Sequence, residues 1–135
     1  MGGDSKLRLL MFHLESFLYR QHETDDSDTM LGESVLVWIH SEGADESNRS
    51  SVFRKMVKNI RWLSQKVDCN RIILHSFAHL DDSKASPEFA ERLIDDVASK
   101  LQQHGLEVHM VPFGHFFEFE MHVKGPSLAK VFKHF

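Results

Sequence analysis

The feature that most narrows what this chain can fold into is a repeated switch of hydrophobic period. Glu33 to His40 reads ESVLVWIH, β-branched, aromatic and too apolar for an edge that faces water. Ser50 to Val67 then changes to helical spacing, with Val52, Phe53, Met56, Val57, Ile60 and Leu63 on one stripe and Lys and Arg on the other face. Arg71 to His75 is again a short apolar strand. Ser86 before Pro87 and Glu88 is a helix start, with a capping hydroxyl followed by proline in the first turn. Phe89, Leu93, Ile94, Val97 and Leu101 form its buried stripe, and Gly105 ends it.

Around this middle, Lys6 to His13 reads as a buried strand, and residues 21–30 as a polar, acidic loop. Residues 41–48 form another loop. Leu106 to Val111 and His115 to Val123 read as strands, with Phe117, Phe119 and Met121 alternating, and Pro126 to His134 as a short C-terminal helix. The expected fold is α/β: a mixed sheet of about five strands with two long helices packed on it. There is no internal repeat or linker, so residues 1–135 are expected to form a single domain.

Composition removes several function classes. No apolar run approaches the ~20 residues that span a bilayer, and the polar start MGGDSK is not a signal peptide, so no membrane partner is expected. One cysteine, Cys69, gives no disulfide framework and suits a reducing cytoplasm. A net charge of -4 argues against a broad non-specific nucleic-acid surface, while a local basic patch would suffice for one RNA end.

The residues that could carry chemistry gather at two strand ends. His75 and His79 form H-x-x-x-H, but across a strand–loop junction rather than on a helix. The spacing therefore lacks the geometry of a zinc helix, and a polar loop cap is the simpler reading. Ser76 beside these histidines lacks the G-x-S-x-G context of a nucleophile, and Cys69 lacks a partner motif. No phosphate-cradling glycine loop is present, so no cofactor is expected. Pro112 and Gly114 interrupt the pattern around Phe113, where a turning backbone can offer N–H and C=O groups to a ligand. Periodicity alone stops at a pocket near residues 75–80 and 112–117.

Phe77-Ala78-His79-Leu80, a helix, Gly105-x-x-Val108, Pro112-Phe113-Gly114, Lys124-Gly125 and Leu128-Ala129 follow in order over roughly residues 70–130. This series resembles the archaeal-type threonyl-tRNA synthetase editing domain. The resemblance implies a D-aminoacyl-tRNA deacylase-like fold and hydrolysis of the ester of mischarged Ser-tRNA(Thr). It implies catalysis by positioning and backbone dipoles, helped by the tRNA's own ribose hydroxyl, without metal. It places His79 as the matching histidine, and Ser76, Phe77, Ala78, Pro112, Phe113, Gly114, His115, Phe116 and Phe117 around the substrate. The family lysine after the P-F-G turn falls on Phe117, and the family's glutamate on the C-terminal segment falls on Lys130. A phenyl ring supplies no cation, so Lys130 is the expected catalytic substitute. The implied partners are the 3′ end of an aminoacyl-tRNA and a threonyl-tRNA synthetase catalytic chain, because no synthetase core lies on this chain; a homodimer is also open. Two other classes are set beside this one: a non-catalytic homologue that binds an RNA end or nucleotide, and a metal-dependent enzyme using His75 and His79.

Overall fold

The computed structural model describes residues 7–21, 28–76, 86–112 and 117–135. Its chain order is β1 (Arg8–Gln21), β2 (Asp28–Leu31), β3 (Ser34–His40), α1 (Gly43–Ser47), α2 (Arg49–Val67), β4 (Arg71–Ser76), α3 (Pro87–Gln103), β5 (Glu107–Met110), β6 (Phe117–Val123), a 3-10 turn (Ser127–Ala129) and β7 (Lys130–His134).

The seven strands occupy five rows. β2 and β3 run along one edge of β1 in an unbroken register, from Arg20 opposite Asp28 to Arg8 opposite His40. β6 and β7 share the other edge, β6 along residues 14–21 and β7 along residues 8–12. β4 and β5 extend the sheet in parallel beyond β3. The mixed sheet with two long helices is therefore the fold observed.

β1 explains why the sheet has two different faces. A strand alternates sides with period two. Leu9 and Met11 point to the helices, where they join Val35, Val37, Ile72, Leu74 and the stripes of α2 and α3 in the main core. Phe12 and Leu14 point the other way, yet so do Phe17 and Tyr19. The parity changes at a bulge between Leu14 and Ser16, where pairing with β6 slips by one residue. Such a bulge also bends the strand. β3 and β2 change parity at the same level, since Leu36 and Leu31 both meet the second cluster. The far half of the hairpin thus folds over the sheet's second face, and a smaller core forms beneath it.

The helices begin and end as their residues dictate. The Ser86 hydroxyl accepts from Phe89 N–H at 3.2 Å with Pro87 behind it. Gly105 takes φ 86° beyond α3, a left-handed turn where a side chain would be strained. Residues 43–47, read as loop, make the short helix α1, closed by reciprocal bonds between Glu42 and Asp45.

Three boundaries differ from expectation. β1 continues to Gln21 rather than stopping at His13, because β2 and β6 flank its second half. The end of residues 21–30, expected as loop, belongs to strand β2 (Asp28–Leu31). The expected C-terminal helix is only the turn Ser127–Ala129, followed by strand β7. The near half of β1 offers a free edge there, and residues 130–134 satisfy it.

Candidate functional site at the ends of β4 and β5

β4 reads RIILHS. Ile72 and Leu74 face the helices, so Ile73 and His75 face the second core, and Ser76 ends the strand half-buried. The chain leaving β5 stays beside this end, because Val111 N–H donates to Leu74 C=O at 3.0 Å. Exposed Pro112 therefore starts its segment near Ser76. The ends of adjacent parallel strands are where open α/β sheets usually bind ligands.

β6 roofs this end. Phe119 meets the His75 ring edge-on at 5.2 Å between centroids, and Phe117 lies 6.4 Å from it. Phe117 also packs edge-to-face on Tyr19 at 5.1 Å. The Tyr19 hydroxyl is hydrogen-bonded to His109 Nε2 at 2.8 Å, tying β1 to β5 across two intervening rows. Trp38 sits in register beside His75 and packs on Phe12 at 5.1 Å. The result is an aromatic wall containing two imidazoles.

Burial sets the charge of both. It pushes His75 down to about 4 from 6.5, and lowers His109 by the same cause. Both rings are neutral at pH 7. They can orient a hydroxyl or a water, but His75 is a weak base there and supplies no positive charge.

Of the expected site residues, Ser76, Pro112 and Phe117 lie around this strand end. Phe77, Ala78, His79, Phe113, Gly114, His115 and Phe116 lie outside the described residues. Lys130 is not on a helix. It stands exposed on β7 directly opposite Phe12, and so projects from the sheet's second face, the face of the aromatic wall. Sequence reasoning passed over Tyr19, Trp38 and His109. Tyr19 is the chain's one tyrosine, but it lies beyond the point where periodicity ended β1.

A second polar group lies elsewhere. His13, Glu33 and Cys69 place possible ligand atoms within 4.8 Å of one another. Glu33 Oε2 accepts from His13 Nε2 at 2.8 Å and from Lys124 Nζ at 2.9 Å, and these bonds, Lys124's first, hold its carboxyl below the usual range. Burial raises the Cys69 thiol, so it is protonated at neutral pH. A soft divalent ion could use these donors only by displacing the Lys124 ammonium. The group works as an ion-paired cluster joining β1, the turn before β3 and the segment after β6.

The family described as the archaea-specific editing domain of threonyl-tRNA synthetase matches residues 7–135. The threonine–tRNA ligase of Thermococcus kodakarensis is 30% identical over 135 residues, covering 93% of this chain and 22% of that protein. That of Methanosphaera stadtmanae is 28% identical over 134 residues with the same shares. The chain thus spans about a fifth of the length of these relatives. Two solved structures share its fold. A probable eukaryotic D-amino acid tRNA deacylase superposes with TM-score 0.69 at 11% identity, covering 96% of this chain and all of that one. The c-Myc DNA unwinding element binding protein gives 0.68 at 12% identity, covering 93% and 97%.

Proposed function

The chain belongs to the archaea-specific editing domain family of threonyl-tRNA synthetase, and from that premise we propose that it hydrolyses the ester of a mischarged tRNA, Ser-tRNA(Thr) first. The observation that carries this reading is the meeting of the β4 and β5 ends under β6, with two neutral imidazoles in an aromatic wall. Ester hydrolysis needs an oriented water and donors aimed at the developing oxyanion. It does not need a strong protein base if a substrate hydroxyl assists. Aromatic surface suits the terminal base of an RNA end. In this reading Ser76, Phe77, Ala78 and residues 112–117 line the substrate. His79 positions the ribose or the water, and Lys130 supplies a cation from β7. The acyl carbon–oxygen bond breaks, releasing the amino acid and a tRNA with its ribose hydroxyl restored. The partners are the 3′ end of the aminoacyl-tRNA and a synthetase catalytic chain, and the expected compartment is the cytoplasm.

A second reading rests on Phe117. Its ring fills the space between Tyr19, His75 and Phe119, where the family resemblance puts a lysine. A hydrocarbon plug there favours a homologue that binds an RNA end without cleaving it. Single-turnover deacylation of seryl-tRNA(Thr), with threonyl-tRNA(Thr) as control, separates the two. Seryl ester loss well above the buffer rate supports editing, and tight binding without loss supports the second reading.

A further inference from the structure

The face of the sheet away from the aromatic wall carries an unusual helix. The whole chain has net charge -4. Yet α2 bears Arg49, Arg54, Lys55, Lys58, Arg61 and Lys66, with no Asp or Glu in its 19 residues. Arg49 is ion-paired to Asp96 on α3. Among the described residues, Arg54, Lys58, Arg61 and Lys100 have no carboxylate partner, and all four line one groove of about 400 Å³. Phe53 and Trp62, half-buried against the main core, line the same groove. Lys133 from β7 lies over the Trp62 ring at 5.2 Å, adding a further cation. The exposed His104 imidazole is lowered, first by slight desolvation against neighbouring atoms and then by the charges of Arg61 and Lys100.

Scattered surface cations are ordinarily solvated and neutralised by neighbouring acids. Here like charges are gathered in a concavity beside aromatic faces, and the acids lie elsewhere. Such an arrangement is complementary to a polyanion whose backbone is charged at regular spacing and whose bases can stack.

We propose that the α2–α3–β7 groove docks the phosphodiester backbone of RNA. This takes from the editing reading only the identity of the polyanion. Arg54, Lys58, Arg61 and Lys100 contact phosphates, and Trp62 offers a stacking face to an unpaired base.

The chain has two tryptophans, so a Trp38→Phe background leaves Trp62 as the sole reporter of the groove. An unacylated RNA hairpin with a single-stranded 3′ end is titrated at several salt concentrations. Trp62 emission should change saturably, and log K should fall linearly with log salt. Lys58→Gln with Arg61→Gln should weaken binding about tenfold and reduce the slope by about 1.4–1.8, since each phosphate contact contributes about 0.7–0.9. Arg20→Gln, at the far end of the β1 hairpin, should leave binding within about twofold. In deacylation, the double variant should raise KM for seryl-tRNA(Thr) and leave hydrolysis of seryl-adenosine, which has no stem, unchanged.

RNA binding at Trp62 with no ester hydrolysis in the wild type would keep the groove and remove the editing reading. Normal hydrolysis with an unmoved KM and a silent Trp62 would do the reverse. Binding of phosphatidylserine vesicles or polyglutamate without RNA binding would also overturn the proposal.

Discussion

Replacing His75 by glutamine should flatten the acid dependence of stability. The imidazole is buried under Phe119 and Phe117, and burial lowers it to about 4 from 6.5. The unfolded chain therefore binds a proton between those values that the folded chain does not. The stabilising effect is present above pH 6.5 and is lost as pH falls toward 4. A difference of this size corresponds to ~3 kcal/mol in full, at 1.36 kcal/mol per pH unit. Between about pH 7.5 and 4.5, the two-pKa linkage relation gives a loss of roughly 2–3 kcal/mol from this residue. Other histidines and the carboxylates change over the same range, so the informative quantity is the difference between proteins. Urea denaturation at both pH values should show wild type losing roughly 2–3 kcal/mol more than His75→Gln. The variant itself can be less stable at pH 7 without affecting that comparison. Parallel pH profiles for the two proteins, or an imidazole resonance of His75 titrating near 6.5, would refute the claim that burial keeps this ring neutral.

Ser86→Ala removes the hydroxyl that accepts from Phe89 N–H, and should cost about 1 kcal/mol in chemical denaturation. Tyr19→Phe removes the bond to His109, and should cost about 1–2 kcal/mol while raising the His109 pKa little, because burial rather than Tyr19 lowers it; NMR titration checks the second part. His79→Ala should slow single-turnover hydrolysis of seryl-tRNA(Thr) roughly 10- to 100-fold, or ~1–3 kcal/mol, in a folded protein. Lys130→Met should also depress that rate, and Phe117→Lys should partly restore it; activity that appears only with Phe117→Lys would mark a homologue that kept the pocket and lost the chemistry.

Local pattern determined a good deal on its own. The stripe of α2, the Ser86–Pro87 start of α3, the turn at Gly105 and the apolar runs of β3 and β4 depend on neighbours a few residues away, and each formed where its residues called for it. The order of these elements was enough for a mixed sheet under two helices, and the collinear motifs were enough for the family. Nothing local told β7 from a helix. Leu128, Val131 and Phe132 fit a helical stripe, and only the free edge of β1 selected strand for residues 130–134, moving Lys130 onto the sheet. The bulge near Glu15 is likewise settled by pairing with β6, about a hundred residues away. That bend brings Tyr19 to His109 and Phe119 to His75, and so decides which imidazoles are buried and neutral. Long-range strand pairing and the curl of the sheet were beyond any window of sequence, because their energy comes from hydrogen bonds and buried area supplied by distant segments.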